Sequence, residues 1–142
     1  MAVTLWEQEI ASSAEEAWKV FSKFDEFLRW NKLDVGFEVT GSGIGMVRTL
    51  VIEGFGRVGE RLDLLDHEQR RQDYTLVEGT PLGMQTYSAQ VQIKPIDATR
   101  CRICWEGQFT VPSGTDEAKV GESLKGSYQG MSSSLATYLA AG

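Results

Sequence analysis

The chain has little of what metal centres, disulfide frameworks and nucleophilic triads are made from: 142 residues include two cysteines, one histidine and three prolines. Cys101 and Cys104 are too few and too close to form a disulfide framework, which agrees with a reducing compartment. Their C-x-x-C spacing has the form of a redox or zinc motif, but it lies in a strand-like run, where positions three apart face opposite sides of a sheet. Zinc would also want more ligands than His67 supplies, so no metal is expected. His67 stands in an Asp-His-Glu turn and is expected to be solvated, which leaves no Ser/His/Asp set.

Long apolar runs and runs of one charge are missing too. No stretch approaches the roughly 20 apolar residues that cross a bilayer, so membrane insertion is not expected. Met1 to Glu9 lacks the basic-then-apolar order of a secretion signal, which makes a cytoplasmic location the expectation. Twenty acidic against 14 basic residues give a net charge of −6, and no Lys/Arg cluster could track phosphates, so nucleic acid is not an expected partner. Gly41-Ser42-Gly43-Ile44-Gly45 superficially suggests a phosphate loop, but a strand rather than a helix follows it. These glycines read as a hairpin bordering a cavity mouth, and no cofactor is implied.

What remains is an ordinary globular composition, 42% apolar and 24% charged, long enough for one core and too short for two. One domain over residues 1–142 is expected, as a monomer or a homodimer. A first strand, Val3 to Ile10, leads to Ser13, which with Glu16 has the form of a capping box. Ala17, Val20, Phe21, Phe24, Phe27 and Leu28 then recur at helical spacing, as two short helices broken near Asp25. From Asp34 to Phe109 the period is two. Six strands are expected: Asp34–Thr40, Met46–Ile52, Arg57–Leu65, Arg70–Val77, Gln85–Lys94 and Arg100–Phe109, the last two joined by a turn at Pro95-Ile96-Asp97. A long helix follows from Asp116 to Leu139, carrying Val120, Leu124, Tyr128, Met131, Leu135 and Leu139 on one stripe. Gly121, Gly126 and Gly130 each cost that helix about 1 kcal/mol relative to Ala, which calls for either close passage over the sheet or clearance for a ligand.

Alternation assigns the faces. Arg48 shares its face with Met46, Leu50 and Ile52, and Glu60 shares its face with Val58, Leu62 and Leu64, so both charges point inward. A Glu53-Gly54-Phe55 loop would set Arg48 opposite Glu60, where Cβ atoms lie about 5 Å apart. A buried charge is bearable only when paired, so the two residues explain each other, either as a structural pair or as a ligand contact. Tyr74, Leu76, Tyr87, Ala89, Val91, Ile93, Ile103, Trp105 and Phe109 face inward by the same rule. An interior of aromatics with polar tips suits a cavity holding a small molecule.

The order strand, two helices, six strands, long helix resembles the START-like (SRPBCC) superfamily. Ile10-Ala11-Ser12-Ser13-Ala14-Glu15-Glu16-Ala17-Trp18 looks like its first strand-to-helix junction. Phe24-Asp25-Glu26-Phe27-Leu28-Arg29-Trp30-Asn31 looks like its second helix. Gly45-Met46-Val47-Arg48-Thr49-Leu50, Glu60-Arg61-Leu62 and Tyr74-Thr75-Leu76 are similar to central strands of the polyketide cyclase/dehydrase-like branch, as Trp105 to Thr110 is to its last strand. The resemblance implies an α+β helix-grip fold, a curved seven-stranded antiparallel sheet wrapped around the C-terminal helix. It also implies a small hydrophobic ligand, aromatic, polyketide-like or lipid-like, against Arg48, Glu60, Tyr74, Tyr87, Trp105, Tyr128 and Met131. Binding or carriage is the leading expectation. The alternative is a cyclase or dehydratase using Glu60 as base with Tyr74 or Arg48 stabilising an enolate, against which stands the guanidinium beside Glu60.

Overall fold

The computed structural model describes residues 1–142. Strand β1 (Ala2–Ile10) leads into helix α1 (Ala14–Phe21), a 3-10 turn (Phe24–Glu26) and a single-turn helix α2 (Phe27–Trp30). Six strands follow: β2 (Gly36–Thr40), β3 (Val47–Ile52), β4 (Gly56–Asp66), β5 (Arg71–Glu78), β6 (Thr86–Asp97) and β7 (Arg100–Thr110). Helix α3 (Glu117–Ala141) closes the chain. The strands form one antiparallel sheet in the order β1-β7-β6-β5-β4-β3-β2, and α3 packs on its concave side against β1 and β7. This is the α+β helix-grip architecture.

Local chemistry explains the helix starts. Ser13 Oγ accepts from Glu16 N at 3.1 Å, and Asp116 accepts from Ala118 N and Lys119 N at 3.1 and 3.2 Å, so both helices begin with otherwise free amides satisfied. Hydrophobic burial supplies the packing. Phe21, Phe24, Phe27 and Trp30 from the helical segment meet Ala89, Val91, Ile93, Ile103 and Trp105 from the sheet and Leu124, Tyr128 and Leu135 from α3 in one buried cluster. Each such side chain contributes on the order of 1.5–3 kcal/mol by leaving water. The one fully buried side-chain nitrogen or oxygen without a partner is Trp30 Nε1.

Two expectations are corrected. Strand β6 runs through Pro95 to Asp97, with a bulge between those residues, and the turn moves to Ala98-Thr99. Proline is tolerated there because the ladder between β5 and β6 ends before it, leaving no partner to receive its missing N–H. Leu64 does not share Glu60's face. A register shift between Leu62 and Leu64 leaves Leu64 39% exposed and turns Leu65 toward the core.

The helix glycines divide. A Cβ on Gly121 would touch Thr4 and Phe109, so this residue marks close passage over the sheet. Gly126 and Gly130 face open space, and of these Gly130 borders the cavity described below. The two thiols diverge as expected, Cys101 buried inside and Cys104 on the opposite face. Burial pushes both thiols up, away from thiolate character. No helix is long and apolar enough to cross a membrane.

Candidate ligand-binding cavity

The β3–β4 hairpin sets the polar centre of the interior. Its register pairs Arg48 with Glu60 directly, across a loop of residues 53–55. Arg48 Nε donates to Glu60 Oε1 at 3.0 Å, and Nη1 donates to the Phe24 carbonyl at 3.3 Å. Only 6% of Arg48 is exposed. Its guanidinium carbon lies 3.9 Å from the Phe24 ring centre, 4.5 Å from that of Phe27 and 5.2 Å from that of Tyr74. Desolvated cation–π contacts of this kind contribute up to about 2 kcal/mol, which helps offset the charge's lost hydration. The short helical segment after β1 thus supplies the cage, a role that its apolar spacing alone does not reveal.

Next to this centre, three phenols form a row. Tyr74 Oη lies 3.1 Å from Tyr87 Oη, which lies 2.6 Å from Tyr128 Oη. Burial is the first cause that pushes all three phenols well above their ordinary range. The negative charge of Glu60 adds to it in each case, so they stay protonated donors. Tyr128 fits only because residue 107 is glycine, since a Cβ there would overlap its hydroxyl. Behind it, Trp105 stacks on Tyr128 with ring centres 4.7 Å apart and donates Nε1 to Ser132 Oγ at 2.8 Å. Ser132 Oγ in turn donates to the Tyr128 carbonyl.

A cavity of about 640 Å³ opens between this wall and α3. The volume is within the usual range for a small-molecule site, and most of the lining is apolar. Arg48, Glu60, Tyr74, Tyr87 and Met131 all line it. Trp105 and Tyr128 do not: both were expected at the ligand, and both instead stand in the packed layer behind the wall. Alternation gives the correct face for Trp105 but cannot tell which stretch of that face α3 covers. Leu50 and Leu124, expected only to face inward, join the lining, as does Gly130, for which ligand clearance is one of the two expected reasons; Met84 is the addition that alternation does not point to. The mouth is also placed differently. Exposed Leu33, Phe55 and Leu82 border the cavity, from the segment after α2, the β3–β4 loop and the β5–β6 connection, whereas Gly41 to Gly45 lie away from it.

His67 is exposed, yet its Nδ1 accepts from Trp18 Nε1 at 3.0 Å, tying the β4–β5 turn to α1. It is therefore a structural acceptor as well as a turn residue. No three His, Cys, Asp or Glu side chains converge as a metal site would require.

A family model described as polyketide cyclase / dehydrase and lipid transport matches residues 4–140. The chain belongs to this family. Solved structures agree with this cyclase/dehydrase and lipid-transport fold. One is a norcoclaurine synthase point mutant from Thalictrum flavum in complex with a transition state analogue: TM-score 0.79, 23% identity, covering 97% of this chain and 93% of that one. An uncharacterised protein from Bacillus thuringiensis gives a TM-score of 0.84 at 22% identity, covering 97% and 98%. The protein XoxI from Bacillus cereus gives 0.84 at 23% identity, covering 98% and 96%. At these identities the likeness is one of fold. No curated protein matches the chain in sequence. Family and cavity together support ligand binding or cyclase chemistry in general terms.

Proposed function

We propose that this protein binds and carries a small hydrophobic, partly aromatic molecule in the cavity between the sheet and α3, and that Arg48 and Glu60 orient a polar group on it. The observation that carries the reading is a 640 Å³ apolar chamber with one buried ion pair in its wall. A structural ion pair alone needs no chamber beside it. In this reading Arg48, Glu60, Tyr74, Tyr87 and Met131 contact the ligand, while Trp105 and Tyr128 fix the wall from behind.

A second reading, a cyclase or dehydratase, is favoured by the meeting of Glu60, Arg48 and Tyr74 on one cavity. A structure of the Thalictrum flavum norcoclaurine synthase, in complex with dopamine and hydroxybenzaldehyde, shares the fold at a TM-score of 0.78. Against general-base work stands the geometry of the 3.0 Å ion pair, because Arg48 Nε already occupies Glu60 Oε1 and the carboxylate is engaged within the wall. Carriage is therefore the conclusion.

The test is native mass spectrometry of the protein purified from its own host, beside a denatured sample and an Arg48→Ala variant. A bound small molecule in the wild type that is lost from the variant is the expected result. Equal emptiness of the two would remove the support for carriage and leave the pair a structural role.

A further inference from the structure

The hydrogen-bond inventory of the cavity wall narrows the chemistry of its ligand. Three phenols in a row make two contacts and own three protons. Tyr128, wholly buried behind the wall, has Tyr87 Oη as its only hydroxyl partner, and a buried donor left unpaired there would lose its hydration with nothing in return. Its proton therefore goes to Tyr87. The surplus O–H then belongs to Tyr87 or, one step along, to Tyr74, and both rings line the cavity. Arg48 adds to the surplus. Two of its five N–H donors have acceptors, and the Phe24 and Phe27 rings lie against the guanidinium without offering any. On the other side of the account, Glu60 Oε1 is taken by Arg48 and Oε2 has no protein donor.

From this geometry we infer that the cavity selects a neutral apolar ligand bearing a hydroxyl group, a phenol or an alcohol, which donates to Glu60 Oε2 and accepts from the free tyrosine O–H or the Arg48 edge. The inference rests on the carrier reading and deepens it. A hydroxyl is both donor and acceptor on one atom, and so satisfies both leftovers of the wall at once. A carboxylate offers acceptors only and would face Glu60 in a wall whose own charges already cancel. A bare hydrocarbon satisfies neither group and would strip water from both.

Three probes of one shape separate these classes: 2-naphthol, 2-naphthoate and naphthalene, titrated at neutral pH by calorimetry or by tryptophan and ligand fluorescence. Wild type is expected to bind 2-naphthol at least 10-fold more tightly than either of the others. Glu60→Gln keeps the size and one oxygen for Arg48 but puts an amide donor in place of Oε2 and leaves the guanidinium charge uncancelled. It should shift the naphthol-to-naphthoate ratio toward naphthoate by 10-fold or more. A Tyr74→Phe, Tyr87→Phe double variant, checked for native circular dichroism, should keep naphthalene binding and lose the preference for naphthol over it. Naphthoate or naphthalene binding to wild type as well as naphthol, or a ratio that Glu60→Gln leaves unmoved, would overturn the assignment while leaving carriage intact. If wild type takes up none of the three, the carrier reading itself falls and this inference falls with it.

Discussion

Strands β6 and β7 line the same concave face as β3 and β4, yet the first pair is packed dry except where Tyr87 reaches the cavity, and the second borders open space. Ala89, Val91 and Ile103 are wholly buried, and Trp105 fills the gap to α3 by stacking on Tyr128. Leu50 and Ile52 on β3 are half-buried and look onto the cavity. The difference follows from what each strand carries inward. On β7 a glycine admits an aromatic ring from the helix, so the two elements interlock. On β3 and β4 the inward positions include an arginine and a glutamate, which must spend their reach on each other. One side of the sheet is for cohesion and the other leaves room.

The largest effect that should separate the two sides is loss of the dry stack. Trp105→Ala is expected to destabilise the fold by about 4 kcal/mol in urea unfolding, and a loss below about 1 kcal/mol would show that this side is not tightly packed. On the open side, Arg48→Ala leaves Glu60 without its partner and should cost about 3 kcal/mol. Removing both charges together should recover part of that, and additive losses would mean that the pair is not coupled. Gly107→Ala should cost about 2 kcal/mol by forcing its new methyl group against the Tyr128 hydroxyl. Adding Tyr128→Phe should restore most of the loss, an outcome that a general strand defect would not give.

The phenols add a pH test of the boundary between the sides. Their folded values lie above the ordinary 10.0, so as pH rises the unfolded chain loses these protons first. Their stabilising effect is thus complete below about pH 10 and declines above it, approaching about 1.4 kcal/mol per pH unit for each phenol while the folded form stays protonated. Absorbance titration of folded protein would contradict this if all four tyrosines ionised near the ordinary value. The smallest expected effect is a gain. Gly130→Ala meets no neighbour and should stabilise α3 by about 1 kcal/mol, while narrowing the cavity and weakening ligand uptake.

Much of this contrast is legible before folding, because period-two alternation is a local property. It places Arg48 opposite Glu60, since both the loop length and the parity of the strand are written in consecutive residues. It fails at Leu64, where a bulge resets parity, and at Pro95, whose tolerance depends on where a neighbouring strand stops. The site is less legible than the fold for the same reason. Whether an inward residue meets ligand or helix depends on the path of α3. Trp105 and Tyr87 look alike in alternation and differ in what lies above them. The role of Gly107 is similarly hidden, because its reason is a hydroxyl 21 residues further along the chain.

The strand order bears on how the molecule comes together in time. Six strands, β2 to β7, join neighbours in sequence and can zip as successive hairpins, but β1 pairs with β7 alone, Ala2 opposite Phe109. That contact closes a loop of roughly a hundred residues, and the entropy of closure must be met before the contact repays it. Docking of β1, rather than hairpin formation, is accordingly the expected slow step of refolding. Since α3 lies against β1, the helix cannot settle until that step is complete. The chamber is thus the last part of the molecule to acquire its shape, and the first strand in sequence is the one that waits for the rest.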